Sequence, residues 1–379
     1  MFGPLQDFFN WLPLGLPSFL FVITVVVFFH ELGHFLVARW CGVKVEVFSI
    51  CFGREIVGWT DKHGTRWKIG WLPLGGYVKF LGDANAASMP DKTETDSLSD
   101  DERKRAFPLK PLHQRAMIVA AGPVANFILS ISIFFLLFML YGRQIITPRI
   151  DNVTPNSAAA EAGLKRGDII HRVNGDTIES FADLQRIVAL GGGEPLSIMI
   201  ERGGQALTIK ATPRATEVRD PTGAKARAMM LGISNSSRAG DVRVERLGPI
   251  QAMGAAVDQT WMLVSGTLSY ARQMIMGRTD ASQMMGPAGI ARVSRQAAQA
   301  GFMTLINLAA LISVSLGLVN LFPIPLLDGG HLLYYACEAV LGRPLGARAQ
   351  DVGFRLGLAL VLGLMILATW NDVVRLDLF

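Results

Sequence analysis

The sequence predicts a polytopic α-helical membrane protein with four transmembrane helices, a small cytosolic β-hairpin region and an external α+β domain. Half of the 379 residues are hydrophobic and only 18% are charged, whereas soluble domains carry about a quarter charged residues. The apolar residues are concentrated in four runs, and each has close to the roughly 20 residues that a helix needs to cross a bilayer. The segments between the runs contain strand and turn patterns, which predict the two parts outside the membrane.

The four apolar runs predict the membrane spans and their orientation. They cover residues 18–38, 116–141, 304–322 and 353–370. No Lys or Arg precedes Arg39 and no small-residue cleavage site follows the first run, so we expect a retained helix and not a signal peptide. Lys44, Lys110 and Arg115 make the loop between the first two runs basic. This bias predicts that the loop is cytosolic and that both termini and residues 145–302 lie outside.

Charge and cysteine content argue against a nucleic-acid-binding site and against a structural role of the cysteines as disulfides or metal ligands. The net charge of +5 is modest, and basic loops beside membrane spans account for it without a nucleic-acid partner. Cys41, Cys51 and Cys337 show no paired spacing. They are therefore expected to be reduced thiols that form neither a disulfide framework nor a metal cluster.

Local patterns divide the chain further. Alternation in Thr65-Arg66-Trp67-Lys68-Ile69-Gly70-Trp71, ended by Gly75-Gly76, predicts strands within residues 44–80. Residues 83–105 are polar and poor in aromatic side chains, which predicts a flexible linker. The predicted organisation is a first transmembrane helix (1–43), a cytosolic β-hairpin region with the linker (44–114), a second transmembrane helix (115–142), the α+β domain (147–213), an external juxtamembrane region with two helical stretches (214–302), a third transmembrane helix (303–329), and a cytosolic loop followed by the fourth transmembrane helix (330–379).

The external α+β domain contains Ala162-Gly163-Leu164-Lys165-Arg166-Gly167-Asp168, followed by Asn174-Gly175, which favours a tight hairpin turn. With these motifs it resembles a PDZ domain. A helix over 181–190 and strands over 196–202 and 206–211 complete the predicted domain. It would bind a peptide or a newly exposed C-terminus, or act as a size filter against uncut substrates. The sequence leaves both roles open.

A metal-binding motif lies inside the first apolar run. His30-Glu31-Leu32-Gly33-His34 fits the pattern H-E-x-x-H, in which two imidazoles four residues apart share one helix face and reach one ion. Glu31 follows the first histidine and is suited to take a proton from the attacking water. The alternative is a set of ordinary helix residues, but each charged residue at the centre of a membrane helix costs about 2.5–3.5 kcal/mol without partners.

A third ligand is needed because catalytic zinc sites use three protein ligands and leave one position open. The best candidate is Asp328, which follows Asn320, Pro323 and Pro325 at the end of the third run. The prolines must break this helix, and broken backbone at membrane depth occurs where it is buried in protein or lines a water-filled cavity. His331 competes with Asp328 as a ligand.

These motifs together resemble the bacterial site-2 proteases of the regulator-of-sigma-E protease type. The resemblance also covers Ala121-Gly122-Pro123-Val124-Ala125-Asn126-Phe127 and Met285-Gly286-Pro287-Ala288-Gly289-Ile290-Ala291. It implies one catalytic Zn²⁺ held by His30, His34 and Asp328, with Glu31 as the base. It also implies an inner-membrane protease that cleaves transmembrane substrates, either a pre-cut anti-sigma factor or a signal-peptide remnant. The single PDZ domain departs from the best-known members, which have two.

Substrate contacts are predicted at two places. The strand edge Gly76-Tyr77-Val78 is a candidate for pairing with an unwound substrate, although an ordinary hairpin packed on the spans explains it equally well. The resemblance implies that Asn320 helps to hold the substrate, and Pro323 and Pro325 belong to the same candidate surface.

Two readings from other classes stay open at this point. In a non-enzymatic PDZ scaffold, the polar residues of the spans would only hold helices together. A metal transporter would also place His and acidic residues in the membrane. A scaffold does not need Glu31, and a transporter is expected to show an internal repeat of its broken helix, which the sequence does not contain.

Overall fold

The structure, a computed structural model, describes residues 3–83, 97–219, 225–235, 242–276 and 284–375. It divides into two compact units. The first comprises Met1–Phe134 with Met285–Trp370, and the second comprises Phe135–Met284 with Asn371–Phe379. Residues 84–96, most of the predicted linker, lie outside the described residues. The part of the linker that follows contains helix α2 (Asp100–Arg103), and a 3₁₀ turn over Phe107–Leu109 comes after the linker.

Four helices among the described residues are long and apolar enough to cross a membrane, which confirms the predicted number of spans. They are α1 (Gly3–Trp40), α3 (Leu112–Tyr141), α8 (Phe302–Asn320) and α10 (Ala347–Arg375). The candidate spans within α1 and α10 are Leu14–Trp40 and Arg348–Val374. Each is a few residues longer than the apolar run that predicted it, because helices continue past the last apolar side chain.

The first unit also contains the predicted β-hairpin. Strands β1 (Val45–Thr60) and β2 (Arg66–Phe80) pair in antiparallel orientation with several irregularities of register. Because of these shifts, residues 47–50 of β1 pair with both 66–69 and 76–79 of β2, and Val45 pairs with Phe80. The segment 76–80 is therefore an edge, with no further strand beside it in the described part of the chain.

Aromatic packing attaches this hairpin to α1. Phe48 is fully buried, and its ring centroid lies 5.4 Å from that of Phe35 on α1 and 4.4 Å from that of Trp67 on β2. Edge-to-face and tilted pairs at such distances add to the stabilisation from burial itself. The hairpin is thus packed directly on the helix that carries the H-E-x-x-H motif.

Two shorter helices complete the first unit. Helix α7 (Pro287–Ala300) turns its small residues Ala291, Ser294 and Ala297 inwards, and Ala297 packs with Val22 of α1. Seven residues separate the end of α8 from the start of helix α9 (Asp328–Leu341). The intervening residues 321–327 contain Pro323 and Pro325 and are not helical.

The second unit is an α+β fold with its own core. A four-stranded sheet has the order β6-β5-β7-β8, formed by the strands Asp176–Thr177, Ile169–Val173, Leu196–Arg202 and Gln205–Ala211. Helices α4 (Ala158–Glu161) and α5 (Phe181–Leu190) contribute side chains to the same core as Ile170, Ile198 and Ile200. Asn174 and Gly175 both have positive φ, as a type I′ hairpin turn requires.

The remaining elements of the second unit are short strand pairs and one long helix. Strands β3 and β12 pair with each other, as do β4 and β11, and β9 and β10. Their ranges are Arg143–Ile146 and Val242–Glu245, Asn152–Val153 and Ile233–Ser234, and Arg214–Arg219 and Lys225–Met230. Helix α6 covers Pro249–Ile275.

The prediction of a helical region from residue 214 is wrong in its first part. Residues 214–245 contain strands, and only α6 and α7 are the predicted helices. Leu231 is 2% exposed and belongs to the core of the second unit, while β11 pairs with β4. The α+β fold therefore extends beyond residue 213. Strands of two to six residues carry too little periodicity to be recognised in isolation.

The predicted third transmembrane helix (303–329) ends too late, because α8 ends at Asn320. Helix α9 continues into the segment that was predicted as a cytosolic loop. Asp328 is the first residue of α9 and not part of the third span. Gly329 and Gly330 disfavour a helix by propensity, but here they allow close packing. A methyl group on Gly329 would lie within 3.0 Å of the Phe322 carbonyl oxygen, and one on Gly330 within 3.0 Å of the Ile324 carbonyl oxygen.

Candidate metal centre

Helix α1 places His30 and His34 side by side, one turn apart. Their side chains are buried, with 7% and 9% of the residue surface exposed. The two Nε2 atoms are 3.2 Å apart and the ring planes are nearly perpendicular, at 86°. The predicted meeting of two imidazoles on one helix face is present in the structure.

Asp328 comes to the same point from the start of α9. Its Oδ2 atom lies 3.2 Å from Nε2 of His30 and 3.5 Å from Nε2 of His34. In the described part of the chain, these three residues form the one group of His, Cys, Asp or Glu side chains whose ligand atoms all lie within 4.8 Å of one another. His331 is outside this group, and its ring instead faces Tyr334 with 6.4 Å between centroids.

The geometry of the three atoms fits a zinc ion. Zinc binds His nitrogen and carboxylate oxygen at about 2.0–2.2 Å in tetrahedral sites, and the edge of such a tetrahedron is about 3.3–3.6 Å. The three observed separations are 3.2, 3.2 and 3.5 Å. Oδ2 of Asp328 is buried and has no hydrogen-bond partner among the described residues, so a cation between the three atoms would satisfy it.

The far ring nitrogen of His34 supports this assignment. Nδ1 of His34 lies 2.8 Å from the backbone carbonyl oxygen of Ile118. A carbonyl can only accept, so Nδ1 carries the proton and donates it. Nε2 of the neutral ring is then a bare lone pair that points at the other two ligand atoms, which is the tautomer that a metal ligand needs.

Asn126 lies beside Nδ1 of His30, as the Ile118 carbonyl lies beside Nδ1 of His34. Its side chain is fully buried, and Nδ2 lies 3.1 Å from Nδ1 of His30. Oδ1 of Asn126 has no partner within the described ranges, so a 180° turn of the amide lets Oδ1 accept the proton of Nδ1. Ser313 of α8 donates to the Asn126 backbone carbonyl at 2.8 Å, which ties the third span to this arrangement.

Two glycines make room for the imidazoles between α1 and α3. A methyl group on Gly122 would lie within 3.0 Å of Nε2 of His34, and one on Gly33 within 3.0 Å of the Ala121 carbonyl oxygen. Sequence reasoning assigned no role to Gly122 or Asn126. A polar residue and two glycines inside apolar spans were the available signal, but the sequence does not show which helix face meets the site.

Glu31 lies between the histidines and the edge strand. Its carboxylate accepts a hydrogen bond from the backbone N–H of Val78. A methyl group on Gly76 would lie 3.6 Å from Cγ of Glu31. The edge of β2 therefore passes directly over the glutamate of the motif.

The other predicted substrate residues are distributed around this point. Nδ2 of Asn320 is 3.4 Å from Nε2 of His30. Tyr77 stacks on Phe52 at 6.2 Å and faces the hairpin. Pro323 is exposed, whereas the carbonyl of Pro325 packs against Gly357 of α10. The structure thus brings Asn320 close to His30, places Gly76 and Val78 beside Glu31, and turns Pro325 towards the fourth span.

Known proteins resemble this chain over nearly its whole length. The sequence profile of peptidase family M50 matches residues 18–364. A protein of Rhizobium meliloti named "Putative zinc metalloprotease" is 47% identical over 358 residues, which cover 94% of this chain and 96% of that protein. Metalloprotease MmpA of Caulobacter vibrioides is 41% identical over 386 residues, which cover 96% of both chains.

These similarities decide between the function classes. A match to a peptidase family over most of the chain sets aside the non-enzymatic scaffold and the metal transporter. The zinc in the relatives' names agrees with the donor set of two imidazoles and one carboxylate. The chain belongs to peptidase family M50 and is a membrane-embedded zinc metalloprotease.

Proposed function

We propose that this protein is an intramembrane protease that hydrolyses a peptide bond in or near the transmembrane segment of pre-cleaved single-pass membrane proteins. The observation that carries the proposal is the location of the histidine pair, His30 and His34, within the span Leu14–Trp40. A peptidase site at this depth acts on chains that are themselves in the membrane. Regulated intramembrane proteolysis of an anti-sigma factor or a signal-peptide remnant fits such a site.

His30, His34 and Asp328 would hold the zinc ion, and Glu31 is the general base. When bound, zinc lowers the pKa of a coordinated water and polarises the scissile carbonyl. Glu31 takes the proton of the attacking water and passes it to the leaving amine. The hydrogen bond from Val78 fixes the Glu31 carboxylate beside the histidine pair, which is the position this transfer needs.

The substrate helix must unwind before cleavage, because its amides are bonded within the helix. We assign the edge of β2 the role of pairing with the unwound segment. Three facts support this. Among the described residues, 76–80 have β1 on one side and no strand on the other. The Val78 N–H is directed to Glu31, and Gly76 has no side chain over the site. A substrate strand added there would run past the metal centre.

Asn320 is the proposed polar contact to the substrate. Its amide reaches the metal centre from the end of α8, 3.4 Å from the His30 ring. An amide in that position can donate to the scissile carbonyl oxygen as negative charge develops on it. Pro323 and Pro325 act indirectly, by ending the helix so that this amide is not covered by another turn.

Residues 147–213 of the second unit are proposed to form a PDZ domain. The sheet, the two helices packed on its core and the positive φ of Asn174 and Gly175 support this. Such a domain captures a peptide by strand addition and holds a C-terminal carboxylate with backbone N–H groups. A pre-cleaved substrate presents a new C-terminus of that kind, whereas an intact one does not.

The proposed location is the bacterial inner membrane. The basic residues of the loop between the first two spans support a cytosolic position for that loop. The active site then lies near the cytosolic side, because His34 is near the end of the first span that leads into the loop. Both termini and the PDZ domain are on the periplasmic side.

The decisive experiment replaces Glu31 with Gln. Glu31→Gln keeps the size of the side chain and the three ligands but removes the base, so zinc content is expected to stay at that of the wild type. Cleavage of a model transmembrane substrate in proteoliposomes should fall by at least about a hundredfold, the usual contribution of a general base.

Asp101→Asn in α2 is the matched control, since its exposed carboxylate pairs with Lys104 and is not part of the metal centre or the hairpin. It should cleave at close to the wild-type rate. Unchanged cleavage by Glu31→Gln would contradict the assignment of the base. Cleavage of a soluble unfolded peptide at the same rate as the membrane substrate would contradict the intramembrane role.

A further inference from the structure

The segment that carries Asp328 into the metal centre is under backbone strain. We call residues 321–327, between α8 and α9, the proline loop. Leu326 in this loop has φ of +112°, a value that is costly for a residue with a branched side chain. Strained backbone persists only when the surrounding structure holds it. The contacts around the proline loop therefore determine where Asp328 lies.

Two pairs of glycines enclose the proline loop. Gly329 and Gly330 of α9 lie against the loop's own carbonyl groups, as described above. Gly353 and Gly357 of α10, which we call the glycine notch, lie against it from the other direction. A methyl group on Gly357 would lie within 3.0 Å of the carbonyl oxygen and the carbonyl carbon of Pro325, and one on Gly353 would lie 3.6 Å from Cγ of Pro325.

The notch is a local feature of an otherwise outward-facing helix. Only 11% of the most apolar 18-residue stretch of α10 is buried within the protein. Gly357 is one of its few buried residues, whereas Gly363 is exposed and a methyl group on it would meet no other atom of the described residues within 4 Å. Residues four apart share a helix face, so the two glycines of the notch face the loop together. Small residues at this spacing allow close approach between membrane segments.

We propose that the glycine notch is a positioning element of the metal centre. It lets α10 press on the proline loop and thereby keeps Asp328 at ligand distance from the histidine pair. The inference rests on the proposed role of Asp328 as a metal ligand. The fourth span, which contributes no ligand, then controls the affinity of the site for zinc.

Tyr334 provides an independent test of the same packing. A methyl group on Gly353 would lie within 3.0 Å of Oη of Tyr334, and the next nearest atom of that side chain is 3.2 Å away. Oη is buried and has no hydrogen-bond partner in the described part of the chain. The substitution Tyr334→Phe removes this oxygen and therefore opens space beside Gly353. It should cost little stability, because no hydrogen bond among the described residues is lost.

The first experiment measures the zinc affinity of the full-length protein in nanodiscs, by competition with a chelator. Gly357→Ala should bind zinc roughly 10- to 100-fold more weakly than wild type, the usual effect of disturbing a partner of a metal ligand. Gly363→Ala, on the same helix, should bind within about twofold of wild type, because nothing contacts the added methyl group.

The second experiment uses rescue, which a general loss of folding would not show. Gly353→Ala should weaken zinc binding by up to about tenfold. Tyr334→Phe alone should leave it unchanged, and the double variant should recover most of the loss. The absorption spectrum of the Co²⁺-loaded protein should change in Gly353→Ala and return to that of wild type in the double variant.

The outcomes separate the two proposals. If Asp328→Asn binds zinc as tightly as wild type, the ligand assignment fails. If Asp328→Asn loses zinc but the glycine variants bind like Gly363→Ala, the ligand assignment stands and the notch has no positioning role. If Gly357→Ala does not fold, failure of Tyr334→Phe to rescue Gly353→Ala overturns the inference.

Discussion

The Nδ1 atoms of His30 and His34 lie on the side of each ring away from the metal centre. Their hydrogen-bond partners fix the tautomer and orientation in which each ring can bind a metal. His34 donates to a backbone carbonyl, which no substitution of a side chain removes. Nδ1 of His30 instead has the side chain of Asn126 as its partner in the described part of the chain. The two ligands therefore differ in how sensitive they are to mutation, although both come from one helix turn.

Asn126→Ala should weaken zinc binding by about 10- to 100-fold, because His30 loses the partner that fixes its tautomer and ring orientation. The measurement is chelator competition on the full-length protein. Ser132→Ala on the same helix is the control, since Ser132 is exposed and bonds only to Ile128 of its own helix. Zinc binding by Asn126→Ala equal to that of Ser132→Ala would mean that His30 is oriented by packing alone.

The sequence singles out some residues of the candidate site and not others for a physical reason. His30, Glu31, His34 and Asp328 stand out because charged or metal-binding side chains in or beside an apolar span are costly without partners. Asn126 and Gly122 are ordinary in composition, and their importance depends on which face of α3 meets α1. That information comes from packing between distant segments, and no local pattern contains it.

At the scale of elements, an ion pair joins two strands of the second unit. Asp168, 1% exposed, precedes β5, and its carboxylate accepts two hydrogen bonds of 2.7 Å from Arg202 at the end of β7. Burial alone would raise the pKa of Asp168. The hydrogen bonds and charges of Arg202 and Lys165 outweigh burial and lower it.

A lowered pKa predicts how the stability of this unit depends on pH. The stabilisation from ionised Asp168 is complete above the ordinary aspartate value of 3.8 and is lost as the pH falls through the lower pKa of the folded state. Asp168→Asn should therefore destabilise the β5–β7 pairing by about 2 kcal/mol at neutral pH. The difference in stability between Asp168→Asn and wild type should shrink as the pH falls below the ordinary pKa of aspartate. The measurement is hydrogen exchange of the β5 and β7 amides, corrected for the intrinsic exchange rate at each pH.

Glu161→Gln is the control for this prediction. Glu161 pairs with Arg214, but both side chains are more than half exposed, and exposed pairs contribute about 0–1 kcal/mol. A destabilisation by Glu161→Gln as large as that by Asp168→Asn would show that burial does not distinguish the two pairs.

Long elements could be predicted from the sequence and short ones could not. The four spans, α5 and β7 follow from periodicity over seven or more residues. Helix α9 and strands β9–β12 were missed because tertiary contacts decide them. Gly329 and Gly330 disfavour a helix by propensity, yet α9 forms there since only glycine fits against the proline loop.

At the scale of the whole molecule, the metal centre joins segments from the two ends of the first unit. His30 and His34 come from the first span, and Asp328 comes from the helix after the third. A bound ion that requires all three stabilises the native arrangement relative to any state in which the segments separate. The second unit has a separate core built from residues between Ile150 and Leu231, so the ion should not affect its stability.

Removal of zinc should therefore destabilise one unit selectively. Ligand binding to the native state alone contributes about 2.7 kcal/mol at a free concentration of 100 times the Kd. Hydrogen exchange of the full-length protein in nanodiscs should show faster opening around α1 and α9 after chelation, reversed by added zinc. Amides of β5 and β7 should exchange at the same rate with and without the metal.

Two variants test whether this stabilisation comes from the proposed ligands. Glu31→Gln keeps the ligands and should respond to zinc like the wild type, whereas Asp328→Asn should show the opening rate of the chelated protein at every zinc concentration. A zinc response that persists in Asp328→Asn would show that the ion stabilises the unit from another position. Equal effects of chelation on β5 and α1 would instead mean that the two units unfold together, in spite of their separate cores.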